Sequence, residues 1–279
     1  MGLKIAAALP RLLERRYPIV KPSYPLLTVL YLLRIQDLAA VPIADNGKGT
    51  RAIFGFSVLP QLMDLSSKAL DQYLTGPCGA ASEELGSFDM DDDVEDLLDS
   101  FEKTRLGVSL VNGRVTGEQR ATLVSLADLV RLYRTKQFAS DMTVDEVGSP
   151  FITLSRRTSV RDAVRTMFKL KVRRVFISGE RVYISDRSIL ERVLSPATLV
   201  QTPGAKEMGV FDARIESLKK SPPIEVAPGS SLQSAASKLR SESGSCLTVQ
   251  GKDVVLTPWD VIMKPWSADR LDLTTRASG

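Results

Sequence analysis

Histidine is missing from all 279 residues of this chain. Its absence removes the commonest general base, the commonest metal ligand and every Ser-His-Asp or Cys-His arrangement for nucleophilic catalysis. Cysteine is scarce: Cys78 and Cys246 lie far apart and form no paired-cysteine motif, which argues against a zinc site or a redox dithiol and suits two small buried hydrophobes. No apolar run approaches the roughly eighteen residues a membrane span needs, and Ile5 to Leu9 is cut off by Pro10 and Arg11. Ala6 stands where a myristoylation signal has Ser or Thr. Aromatic residues are few, so Trp259 and Trp266 read as packing side chains rather than as a base-stacking platform. A soluble, cytoplasmic, non-enzymatic protein is expected.

What is present is a pattern that recurs four times: an apolar strand, a turn containing Gly, a second apolar strand, and a hydroxyl residue opening a helix. The copies are AVPIADNGKGTRAIFGFSVLPQL (40–62), GVSLVNGRVTGEQRATLVSLADL (107–129), RVFISGERVYISDRSIL (174–190) and SCLTVQGKDVVLTPWDVI (245–262). Their hydroxyls, Ser57, Ser125, Ser185 and Thr257, give a period of about 60 to 72 residues, too long for ankyrin or tetratricopeptide repeats. A helical segment precedes each strand pair, as in Val160, Ala163, Val164, Met167, Phe168 and Leu170, which recur every three to four positions. A shorter strand precedes that helix, at 151–154 and at Ile224-Glu225-Val226. The predicted fold class is α+β, with four strand-helix-strand-strand-helix repeats.

Residues 1–16 read as an amphipathic leading helix with Leu3, Ala7, Leu9, Leu12 and Leu13 on its apolar face, and the chain after Trp266 as a polar, mobile tail. Gly47-Lys48-Gly49-Thr50 imitates the end of a P-loop, but the earlier glycine is missing and a hairpin turn explains it.

The net charge of +4 is unevenly spread: residues 1–136 hold 16 basic and 17 acidic side chains, residues 137–279 hold 21 and 16. Much of the excess is Arg156, Arg157, Arg161, Arg165, Lys169, Lys171, Arg173, Arg174 and Arg181, a field suited to an anionic ligand, a nucleic acid or an acidic partner, or else a solvated helix face. The acidic run Asp89, Asp91, Asp92, Asp93, Glu95 and Asp96 either repels polyphosphate or serves a helix start; a divalent cation site is the remaining reading.

Ser125-Leu-Ala-Asp128 and Thr257-Pro-Trp-Asp260 place an acid three residues after the hydroxyl. That is good helix-capping chemistry, with Pro258 in the first turn. The same geometry suits a nucleotide, because a helix N-terminus attracts phosphate and a nearby carboxylate accepts hydrogen bonds from a ribose diol.

With LVSLADL (123–129), VLTPWDV (255–261), the lead-in segments 140–164 and 215–236, and Arg173-Arg174-Val175-Phe176-Ile177, the chain resembles the CBS domain, named after cystathionine β-synthase. The resemblance implies repeats paired into Bateman modules: 1–136 as a first pair (about 1–70 and 71–136), and 137–279 as a second (about 137–195 and 196–266). It implies an adenosyl ligand between paired repeats, AMP, ADP, ATP or S-adenosylmethionine, as a regulatory ligand and not a cofactor. Asp128 and Asp260 would bind ribose, Ser125 and Thr257 ribose or phosphate, and Arg173 or Arg174 phosphate, with Ile224 and Val226 beside the adenine. Pro60 and Ser188 take the acid's place in copies one and three, which leaves at most one full cleft per pair, and charge favours Asp260. The expected function is a stand-alone regulatory sensor that signals to an unknown protein partner and forms a homodimer. The alternative is a nucleotide-independent interaction scaffold or nucleic-acid-associated protein.

Overall fold

The computed structural model describes residues 2–15, 17–45, 48–65, 67–116, 118–195, 198, 209–239 and 245–273. The chain opens with α1 (Ile5–Ala8), a single turn followed by a short 3-10 turn at Leu12–Glu14, rather than one leading helix. Pro10 explains the break, since it has no N–H to donate to the carbonyl of Ala6. Leu3, Leu9, Leu12 and Leu13 are buried as the pattern requires, but Ala7 faces solvent and Ile5 and Ala8 fill the interior instead.

The first unit comprises α2 (Leu26–Ile35), the hairpin β1 (Val41–Asp45) and β2 (Lys48–Ile53), and α3 (Gly55–Met63), with Val20 bridging in parallel to Ile43. After α4 (Ser67–Thr75) and β3 (Glu83–Glu84) comes the second unit: β4 (Ser87–Asp89), α5 (Val94–Thr104), β5 (Val108–Val115), β6 (Glu118–Ser125) and α6 (Leu126–Val130). The short elements β7 (Phe138–Ala139), α7 (Val144–Val147) and β8 (Ser149–Pro150) lead to the third unit. That unit is β9 (Thr153–Leu154), α8 (Val160–Lys169), β10 (Arg174–Ile177), β11 (Tyr183–Ser185) and α9 (Asp186–Val193). The fourth holds β12 (Ile224–Val226), α10 (Leu232–Lys238), β13 (Leu247–Val249), β14 (Val254–Leu256) and α11 (Pro258–Ser267), before β15 (Asp272–Leu273). In the last three units the first strand pairs in parallel with the second, which pairs antiparallel with the third. The helix between parallel strands supplies the crossover that such a pair needs.

Packing follows two rules. Sheets pack on sheets within each half of the chain: Ala40, Ala52 and Phe54 meet Val108, Leu110 and Leu123, while Phe176 and Tyr183 meet Cys246 and Val255. Helices pack between halves, so that Leu30, Val58 and Leu62 of the first unit share a core with Val164, Met167 and Ile189 of the third. Phe101, Leu129 and Tyr133 of the second unit share another with Leu232, Val261 and Ile262 of the fourth. Most of the apolar helix faces are thereby covered by helices of the same chain.

Two further expectations change. The stretch after Trp266 is ordered through Leu273, because α11 runs to Ser267 and β15 pairs antiparallel with β7; residues 274–279 lie outside the described residues. Phe168 and Leu170 are 52% and 47% exposed rather than buried, since Val160, Ala163, Val164 and Met167 already fill the inward face of α8.

Cys78 and Cys246 are free and buried, and burial pushes both thiols up. Neither should react with a thiol reagent at pH 8 until the chain unfolds; rapid labelling of the folded protein would contradict this burial.

Candidate ligand-binding site

Three helix starts share one construction. Ser125, Ser185 and Thr257 are the N-caps of α6, α9 and α11, each closed by a reciprocal bond from the third helical residue. One carboxylate oxygen of Asp128 accepts from the backbone N–H and hydroxyl of Ser125, both at 2.9 Å. Asp260 does the same for Thr257, both at 2.8 Å. In the first unit the register differs from the sequence expectation: β2 ends at Ile53, paired with Val41, so Phe54 is the cap and Ser57 stands three residues beyond it. Ser57 and Pro60 both lie inside α3, and this unit has neither a capping hydroxyl nor an acid at that place.

The second oxygen of each acid is taken by a distant residue. Arg15 Nη1 donates to Asp128 Oδ1 at 2.5 Å. Burial opposes the Arg15 charge, and Asp128 more than restores it, so the guanidinium pKa is raised. Tyr17 beside it is raised by burial and then by the charge of Asp128. At Asp260, Oδ1 accepts from Ser149 Oγ at 2.7 Å and faces Lys264 Nζ at 3.1 Å. Lys264 also donates to Ser149 Oγ at 2.9 Å and to the Val147 carbonyl at 2.5 Å. A carboxylate offers about four acceptor positions, so a ribose diol reaches Asp260 only when the Ser149 hydroxyl turns away. A third buried acid, Asp186, holds Arg173 at 2.6 and 2.8 Å.

Two cavities lie among these elements. The first, about 350 Å³, gathers Ser125, Arg173, Arg174, Thr257 and Asp260, five of the eight predicted site residues, together with Arg105, Ser149, Pro150, Ile152, Lys171 and Trp259. The second, about 530 Å³, is lined by Ile224 and again by Arg173, with Asp37, Tyr183, Ser185, Arg187 and Ser188. Asp128 lines neither. Val226 does not reach a cavity either: it is 1% exposed, in the core with Leu247 and Val249. Both volumes suit a small molecule.

Their electrostatics differ. In the second cavity charges come in pairs: Arg187 with Asp37, Arg173 with Asp186, and Arg34 and Lys219 with Glu191. In the first, Arg105, Lys171 and Arg174 face a single acid, Asp260, which Lys264 already compensates, while Arg173 on the same wall is held by Asp186. Its net charge is positive.

The acidic run at 89–96 serves a helix start. Asp93 caps α5 and pairs with Lys4 at 3.0 Å, and Glu95 and Asp96 occupy the first turn. No group of His, Cys, Asp and Glu suited to a metal occurs among the described residues.

No family model matches the sequence, and no curated protein matches it significantly. Solved structures do match. Protein MJ1225 from Methanocaldococcus jannaschii, given as a candidate archaeal homolog of g-AMPK, superposes with a TM-score of 0.74 at 16% identity, covering 90% of this chain and 96% of that one. The CBS-domain containing protein ATU1752 from Agrobacterium tumefaciens matches 44% of this chain and 96% of its own at 16% identity, TM-score 0.36. CBSX2 in complex with AMP matches 48% and 98% at 16% identity, TM-score 0.38.

The fold is that of a CBS-domain protein. At such identities the likeness is one of architecture, and the CBS fold accounts for the parallel-then-antiparallel sheets and the helices that open at Ser125, Ser185 and Thr257. Sequence reasoning missed Arg15, Ser149, Lys264 and Asp186. Only Lys264 had a local signal, an acid-to-base spacing of four along one helix face; Arg15 and Ser149 meet their carboxylates across 113 and 111 residues of chain. No helix among the described residues is long and apolar enough to cross a membrane.

Proposed function

We propose that this chain is a regulatory CBS-pair protein that binds an adenine nucleotide in the 350 Å³ cavity and passes that state to a partner protein. The observation that carries the reading is the excess of positive charge at the N-terminal end of α11, beside a carboxylate that suits a ribose diol. Pro150, Ile152 and Val255 supply an apolar wall for the base. Support also comes from CBSX2, solved with AMP, and from the CBS domain of a bacterial CNNM/CorC family Mg2+ transporter, solved with ATP. The cavity draws residues from both halves of the chain, so a ligand with different affinity for two relative placements of the halves shifts their balance.

Calorimetric titration with AMP, ADP and ATP tests the reading. Asp260→Asn keeps an acceptor for Thr257 but lowers the charge, and should weaken nucleotide binding roughly ten-fold or more, since a charge-assisted hydrogen bond contributes about 1.5–3 kcal/mol. Unchanged affinity in a variant that unfolds at the same denaturant concentration as the parent would reject the ribose role.

A further inference from the structure

Three of the units end the helix before their hairpin in the same strained way. Asp37, Arg105 and Lys171 follow α2, α5 and α8 by one or two residues, and all three hold a left-handed backbone, with φ of 53°, 61° and 54°. That conformation favours glycine, and none of these positions has it. The side chains go to cavities. Asp37 lines the larger one and is held by Arg187. Arg105 and Lys171 both line the smaller one, Arg105 from the second unit and Lys171 from the third.

The two cations have little else to do. Arg105 lies over the ring of Trp259, 5.3 Å from its centroid, and neither residue has a carboxylate within ion-pair distance among the described residues. Cationic side chains without a carboxylate partner, converging on one hollow from both halves of the chain, are placed for an anionic ligand.

We infer that Arg105 and Lys171 form a phosphate clamp contributed by both halves of the molecule, which makes the ligand a nucleoside di- or triphosphate rather than a monophosphate or a sulfonium adenosyl compound. This rests on the proposed nucleotide site and specifies its ligand class. A cationic sulfonium would add positive charge to a cavity that already carries an excess, whereas each added phosphate gains a partner. Arg173 is committed to Asp186 and Arg174 donates to the carbonyl of Ser245 at 3.2 Å, which makes Arg105 and Lys171 the groups that respond to chain length at the phosphate end.

The test is a titration of the full chain and of Arg105→Ala and Lys171→Ala with adenosine, AMP, ADP, ATP and tripolyphosphate. Affinity should rise with phosphate number, and each variant should lose about ten-fold for ATP while leaving adenosine unaffected, as expected for removal of one charge-assisted contact. Equal affinity for AMP and ATP, or equal losses for adenosine and ATP, overturns the clamp while leaving the nucleoside site standing. Tripolyphosphate binding without adenosine binding upholds the clamp and removes the nucleoside site; binding of neither removes both. Arg105→Gly supplies a second readout. Relieved of the left-handed penalty, it should melt at a higher temperature than the parent while binding ATP more weakly, and a lower melting temperature would contradict the assignment of strain.

Discussion

Truncating Tyr133 to alanine should lower the free energy of unfolding by about 3–5 kcal/mol, the range for removing a large side chain from a packed core. Tyr133 is 1% exposed and meets Phe138 edge to face at 5.9 Å. Burial raises its phenol pKa, so the hydroxyl stays protonated and donates to the carbonyl of Val261 at 3.1 Å. That carbonyl needs an outside donor. Its partner within α11 would be the residue four places on, which is Pro265, and proline has no N–H. One side chain of the second unit thus repairs a defect in a helix of the fourth. Tyr133→Phe isolates the repair and should lose about 1 kcal/mol, the usual net value of such a bond. Equilibrium urea unfolding followed by circular dichroism checks both; a loss below about 1 kcal/mol for the alanine variant would be inconsistent with this core position.

Replacing Arg15 by methionine should destabilise the protein by about 2–3 kcal/mol, below the full effect of breaking a buried pair because the Arg15 side chain retains some solvent contact. That side chain is 30% exposed, whereas that of Asp128 is 6% exposed. Losing the guanidinium leaves a sequestered carboxylate with only its Ser125 bonds. Adding Asp128→Asn to the same chain should recover part of the loss, because the uncompensated charge is gone. A double-mutant cycle gives the coupling directly, and strictly additive losses would show that the 2.5 Å contact contributes nothing. The contact also explains why Asp128 and Asp260 differ: Arg15 arrives as a charged plug, Ser149 as a small hydroxyl that can rotate, and only the second leaves its acid on a cavity wall.

The sequence patterns revealed what is local. Strand 224–226 and the capping boxes at 125–128 and 257–260 stand where spacing and helix-start chemistry put them, because hydrogen bonds over three residues are written in adjacent letters. The first unit misled for the same reason. In FGFSVLPQL the hydroxyl at 57 matched the pattern, but the strand register depends on Val41, a dozen residues upstream, and moved the helix start back to Phe54. Phe168 continued the apolar spacing of α8, yet it lies on the surface against Phe56 of another unit, at 5.8 Å between rings. Arg105 and Lys171 illustrate the same limit: one belonged to no motif and the other to a diffuse basic stretch, and only their backbone conformation and shared cavity set them apart.

The crosswise packing of helices has a consequence for how the molecule responds to force or to a ligand. Covalent halves divide the chain one way, and its two largest cores divide it the other, first unit with third and second with fourth. A rotation of one half against the other must therefore shear both cores together. Whatever tightens one of these two crossings is therefore felt at the other.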